Sequence, residues 1–160
     1  MSIKSWIAPT LSSIIAGTVV FYLTEGIKLP QLNLSISPEN EAKIEARNTL
    51  GALNRGQQAF LLENGKFASS IRKLGMGINE ETDYYSYAIK GIRSNAVIMT
   101  VTGKKYGMTG VTGVVLVKNQ KTTAYLCVSN DFSQTPPAVS LNNLQLQNFR
   151  CPSGSHNPRD

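Results

Sequence analysis

The sequence predicts an α+β head carried on an N-terminal transmembrane helix. Three observations predict it: an apolar run without charge near the start, one long stretch of helical periodicity, and four β-branched runs in the second half. At 160 residues the chain has room for one ordinary domain besides such a helix. Hydrophobic residues make up 41% and charged residues 16%, the latter well under the usual ~25%. One His and two Cys exclude a His-based triad within one chain, a multi-His metal site, a zinc ribbon and a four-Cys iron–sulfur centre.

From Trp6 to Leu23, eighteen residues pass without a charge (WIAPTLSSIIAGTVVFYL). As a helix they span about 27 Å, nearly the roughly 30 Å of a hydrocarbon core. Trp6 stands at one edge and Phe21 with Tyr22 at the other, as aromatics do at a membrane interface. Pro9 is tolerated only near a helix start, so the span can run on to about Leu29. The alternatives are a cleaved signal peptide and a core helix. A cleaved signal needs a small-residue site after the run, and Tyr22-Leu23-Thr24-Glu25-Gly26 offers none. Residues 1–29 are read as an uncleaved anchor in the lipid bilayer. Lys4 and the amino terminus ahead of the run, against Lys28 behind it, favour a cytoplasmic N-terminus. The head then lies in the periplasm, or otherwise outside the cytosol.

Cys127 and Cys151, 24 positions apart, suit such a compartment. Paired, they close a loop worth about 3–4 kcal/mol on the chain-entropy model; unpaired, they are two unrelated thiols. Between anchor and head, residues 30–38 (PQLNLSISP) form a linker. Proline at both ends and alternating Leu32, Leu34 and Ile36 make it extended rather than a continuation of the membrane helix.

The domain proper is expected over 39–152. Ser37 is the expected N-cap, with Pro38 in the first position and Glu39 and Glu41 at the positive end of the helix dipole. Ala46, Leu50, Leu53, Gln57, Phe60 and Leu61 recur on one helical face; Arg47, Asn48, Asn54, Arg55 and Gln58 fall elsewhere. Gly51 and Gly56 each weaken the helix by up to about 1 kcal/mol and are read as close-packing points. Asn64-Gly65 ends the helix. Phe67 to Gly75 reads as a short helical turn that returns apolar side chains to the core.

The period then changes. Tyr84–Lys90, Ala96–Thr102, Gly113–Lys118 and Thr122–Val128 are strand-like, the last two joined by Asn119-Gln120-Lys121 as in a hairpin. One long helix followed by sequential strands predicts an antiparallel sheet of about four strands with the helix across one face. Beyond Asn130 the chain loses its period, with Leu141, Leu144, Leu146 and Phe149 packing some of it down, and 153–160 is expected to be a flexible tail.

The ordered set Glu45-Ala-Arg-Asn-Thr-Leu-Gly-Ala-Leu-Asn-Arg-Gly-Gln-Gln-Ala-Phe60, Gly65-Lys-Phe-Ala68, Leu74-Gly-Met-Gly-Ile78 and Tyr84-Tyr-Ser-Tyr-Ala-Ile89 resembles the type IV pilin-like G/H domain of cyanobacteria. The resemblance covers about residues 40–130. It implies a pilin or pseudopilin head, and a C-terminal region closed by a disulfide, which Cys127 and Cys151 would fit. The chain departs from ordinary pilins at its start. No Gly-Phe precedes the apolar run, Glu25 follows it instead of lying inside it, and Pro30 and Pro38 interrupt what would be a continuous helix. The expectation is a pilin-like head on a different anchor.

No catalytic constellation is legible, and we read no enzyme, no cofactor, no metal site and no small-molecule substrate. Glu80, Glu81 and Asp83 read as a solvated turn, His156 as a tail residue, and Tyr84, Tyr85 and Tyr87 as sheet packing. Gly75-Met76-Gly77 and Gly103-Lys104 lack the context of a phosphate loop. The net charge of +6 is uneven: residues 31–83 carry net −1 and residues 84–160 net +6. Lys104, Lys105, Lys118 and Lys121 fall in or beside turns, where they could gather into a polyanion patch for nucleic acid or acidic polysaccharide, or simply solvate and protect sheet edges. The leading expectation is a structural or interaction module working with pilus or secretion-system subunits, with loops 103–112 and 129–151 as contact surface; a polyanion-binding module is the alternative.

Overall fold

The computed structural model describes residues 37–144 and 148–159. The expected anchor, with Trp6, Phe21 and Tyr22, lies outside the described residues, as does the linker up to Ile36. Among the described residues no helix is long and apolar enough to cross a membrane.

Helix α1 runs Pro38–Asn64. Ser37 caps it as expected: its carbonyl accepts from the amides of Asn40 and Glu41, and its hydroxyl accepts from Asn40. Gly65 closes it in the left-handed conformation (φ 68°), donating its N–H to the Leu61 carbonyl. Ala42, Ala46, Leu50, Leu53, Asn54 and Gln57 are its buried residues. Phe60 and Leu61 are only half-buried, because the last turns pass the end of the sheet core at half-buried Val117. Of the two helix glycines, Gly56 is a close-packing point, since a Cβ there would run into Met76 Sδ. Gly51 is not: a Cβ there would meet only the Arg55 guanidinium at 3.7 Å.

The connection to the sheet turns on one side chain. Gln57 accepts from the Ala68 amide at 2.9 Å and donates to the Ala68 carbonyl at 3.1 Å, both buried. That pair of bonds holds Phe67 and Ile71 in the core ahead of a short 3-10 turn, Arg72–Leu74.

Among the described residues the sheet has five antiparallel strands in sequence order, where about four were expected: β1 Tyr85–Arg93, β2 Ala96–Gly103, β3 Val111–Lys118, β4 Lys121–Ser129 and β5 Ser155–His156. β5 pairs Ser155 with Ser129 and His156 with Val128, in the stretch expected to be a loose tail. The β3–β4 turn uses Asn119 and Gln120 at φ 50° and 62°, the two-residue geometry that matches strand twist.

Alternation sorts the sheet into two buried faces. Tyr85, Tyr87, Val97, Met99, Val101, Val111, Val115, Leu126 and Val128 form one core with α1. Ala96, Ile98, Val114 and Leu116 face the other way and are covered by Val139, Leu141, Leu144 and Phe149 from the C-terminal segment. Leu146 lies outside the described residues. The head thus has three layers: helix, sheet and an irregular C-terminal cover.

Candidate interaction surface

Cys127 lies on the second face of β4 and forms a disulfide with Cys151, Cα atoms 5.4 Å apart. The pair that the sequence left open is a bond, and its place explains it. Two residues before each cysteine, Phe149 packs at a tilt against Tyr125 with ring centroids 4.9 Å apart, so the disulfide staples the C-terminal cover onto the sheet. Glycines let the cover lie close. A Cβ on Gly91 would sit 2.8 Å from Leu141, and one on Gly110 would sit 2.5 Å from the Thr135–Pro136 backbone. The Thr112 hydroxyl donates to the Pro137 carbonyl at 2.6 Å.

The two loops expected as contact surface are joined to each other by backbone hydrogen bonds. The amides of Gly103 and Gly110 donate to the carbonyls of Gln134 and Ser133 at 3.0 and 2.7 Å. Two aromatic rings remain outward among polar and charged neighbours: Tyr106 is 97% and Phe132 74% exposed. Lys43 of α1 sits 4.9 Å over the Phe132 ring, and Lys105 4.1 Å over Tyr84.

The four expected patch lysines do not gather, which corrects the single-patch expectation. Lys104 lies just past the end of β2, bonding Glu81 at 3.0 Å and the Thr82 carbonyl at 2.8 Å. Lys118 and Lys121 face each other beside the β3–β4 turn. In the antiparallel register Ala96 meets Leu116 and Val101 meets Val111, so these pairs stand at opposite ends of the sheet, about 25–30 Å apart. Sequence proximity to turns said nothing about which end each turn occupies.

Charges of both signs stand at each end. Glu39, Glu41, Glu80, Glu81, Asp83 and Asp131 lie toward the end where α1 starts, with Lys43, Lys104 and Lys105, and Arg72 lies beside Glu80 and Glu81. Lys66, Arg93, Lys118, Lys121 and Glu63 lie toward the end where α1 stops, and Arg93 donates to Asn142 of the C-terminal cover. At this end a groove of about 660 Å³ opens between the last turns of α1 and the two hairpin turns, lined by half-buried Leu61 and Val117 with exposed Leu62 at its edge.

The remaining candidates have structural places. Tyr85 and Tyr87 point into the helix-side core, and burial pushes both phenols above their ordinary range, partly offset by the Thr109 amide at Tyr85 and by Thr49 at Tyr87. His156 Nδ1 lies 2.7 Å from Asn130 Oδ1 and is held in β5. Gly75 and Gly77 take left-handed turns with φ 65°. Among the described residues no group of three His, Cys, Asp or Glu could hold a metal ion. Sequence reasoning missed Asn54, assigned to the outer face: it is 3% exposed and donates to the Tyr125 carbonyl at 3.0 Å. The signal was Gly113, a strand position under the helix with no side chain to push Asn54 away.

A single capped helix laid across an antiparallel sheet, with a disulfide-closed C-terminal cover, defines a pilin-like head. The chain belongs to the type IV pilin-like G and H family, whose model matches residues 43–152. No curated protein and no solved structure matches it. The family is a structural, non-enzymatic kind of domain.

Proposed function

We propose that the chain is a single-pass, membrane-anchored, pilin-like structural module with its N-terminus in the cytoplasm and its head in the periplasm or otherwise outside the cytosol, serving as an accessory of a type IV pilus or secretion assembly. The observation that carries this reading is the head itself: a pilin-like domain whose cover is fixed by the Cys127–Cys151 disulfide. A structural disulfide persists in oxidising compartments and is rare in the cytosol. The uncharged run from Trp6 to Leu23 supports the anchor. Pilin-like domains generally assemble with other pilus subunits, which supports subunits of that kind as partners. The mechanism is presentation: a rigid three-layer body is held at a membrane surface and offers the exposed parts of loops 103–112 and 129–151 for contact, Tyr106 and Phe132 among them.

The test is fractionation of sheared surface filaments against washed membranes, with intact-mass analysis of the chain. The chain in washed membranes with residues 1–29 retained supports the reading. A form shortened within residues 1–29 and recovered in filaments overturns the anchor.

A further inference from the structure

A second cleft, of about 330 Å³, lies between the middle of α1 and the first half of β4, and Arg159 lines it from beyond β5. Two guanidinium groups from distant parts of the chain, Arg55 and Arg159, share this cleft, and no Asp or Glu lines it. Neither guanidinium forms an ion pair among the described residues. The other polar groups are donors too. Thr122 Oγ1 accepts from Gln58 Nε2 at 2.9 Å, which leaves the hydroxyl proton and the second amide proton of Gln58 free to donate. Asn54 offers the cleft no acceptor, because its Oδ1 is buried over Gly113.

Gly51 has a place here that packing against the sheet does not give it. It weakens the helix, yet a Cβ on it would meet only the Arg55 guanidinium, at 3.7 Å. Gly51 lines the cleft, so a larger side chain there would fill it. We infer that this cleft is an oxyanion-binding site, with Arg55 and Arg159 forking onto a carboxylate, sulfate or phosphate group and the Thr122 hydroxyl donating beside them. Its volume has room for about one monosaccharide-sized acid. Lys104, Lys105, Lys118 and Lys121 take no part in it.

The test titrates the full-length chain in non-ionic detergent with inorganic phosphate, with glucuronate and with neutral glucose, read by the NMR shifts of backbone amides and arginine Nε–H groups. Both anions, and not glucose, should give saturable shifts centred on Arg55, Gln58, Thr122 and Arg159. Arg55→Gln and Arg159→Gln should each raise the dissociation constant about tenfold. Gly51→Leu keeps every charge and favours the helix, and by filling the cleft it should weaken binding as well. Tighter binding of glucuronate assigns the site to a saccharide-borne acid and tighter binding of phosphate assigns it to a free ion; either supports the oxyanion site. No saturable shift with either anion, shifts that persist in the Arg55→Gln/Arg159→Gln chain, or an equal response to glucose overturns the inference. None of these outcomes depends on where the head is anchored.

Discussion

Asn54 of α1 sits directly over Gly113 of β3, where a Cβ would lie 2.8 Å from Asn54 Oδ1 and 3.0 Å from Leu50 Cγ. This single close approach sets how near the helix lies to the sheet. Asn54 uses its amide nitrogen on the Tyr125 carbonyl, and its Oδ1 is buried with no hydrogen-bond partner. Gly113→Ala should therefore cost about 1–3 kcal/mol by overpacking. In an Asn54→Ala background the same change should cost less, and chemical denaturation of the four-protein cycle reads the difference.

Gln57 is the second polar side chain that the core requires. Gln57→Ala leaves the N–H and C=O of Ala68, itself 1% exposed, without these partners. A loss of about 2–4 kcal/mol is expected, with hydrogen exchange at the Ala68 amide accelerating before the strands respond.

Removing the disulfide should open the second face first. Cys127→Ser with Cys151→Ser should cost about 3–4 kcal/mol for a closed loop of this length. Limited proteolysis should then cut within 131–150 while β1 to β4 stay protected, because α1 still covers the other face.

The tyrosines give a pH test. Burial raises the pKa of Tyr85 and Tyr87 above the ordinary value of 10.0, so the native state favours their neutral forms. Their contribution to stability is complete below pH 10 and is lost as pH rises through the folded-state values. Absorbance titration at the phenolate band should show two of the six tyrosines ionising late, and Tyr85→Phe/Tyr87→Phe should remove that late phase.

The β3–β4 turn offers a gain. Gln120 holds φ 62°, a conformation that glycine adopts freely. Gln120→Gly makes the favoured Asn-Gly turn and should stabilise the head by about 0.5–1 kcal/mol in thermal unfolding.

Much of this architecture is legible in the residues, for reasons that are local. Ser37-Pro38 and Gly65 bound the helix through cap geometry, and the β-branched runs mark β1 to β4 through period and propensity. β5 is not legible, because two residues carry no period; Asn130, whose amide donates to the Gly154 carbonyl, brings Ser155 and His156 alongside β4. The burial of Asn54 depends on Gly113, 59 positions away, and the separation of Lys104 from Lys118 depends on register. Neither is a property of a sequence window. The matched family, by contrast, was readable from motif order, because GKFA and the paired tyrosines lie where packing demands them: Phe67, Ala68, Tyr85 and Tyr87 are all buried.

The central claim is that the head stands on a membrane outside the cytosol, and protease added to intact spheroplasts tests it most directly. The account predicts that the head is degraded while a cytosolic control survives, leaving a membrane-embedded fragment that contains Trp6 to Leu23. A head that resists protease until the cells are lysed, and is then digested, would contradict it.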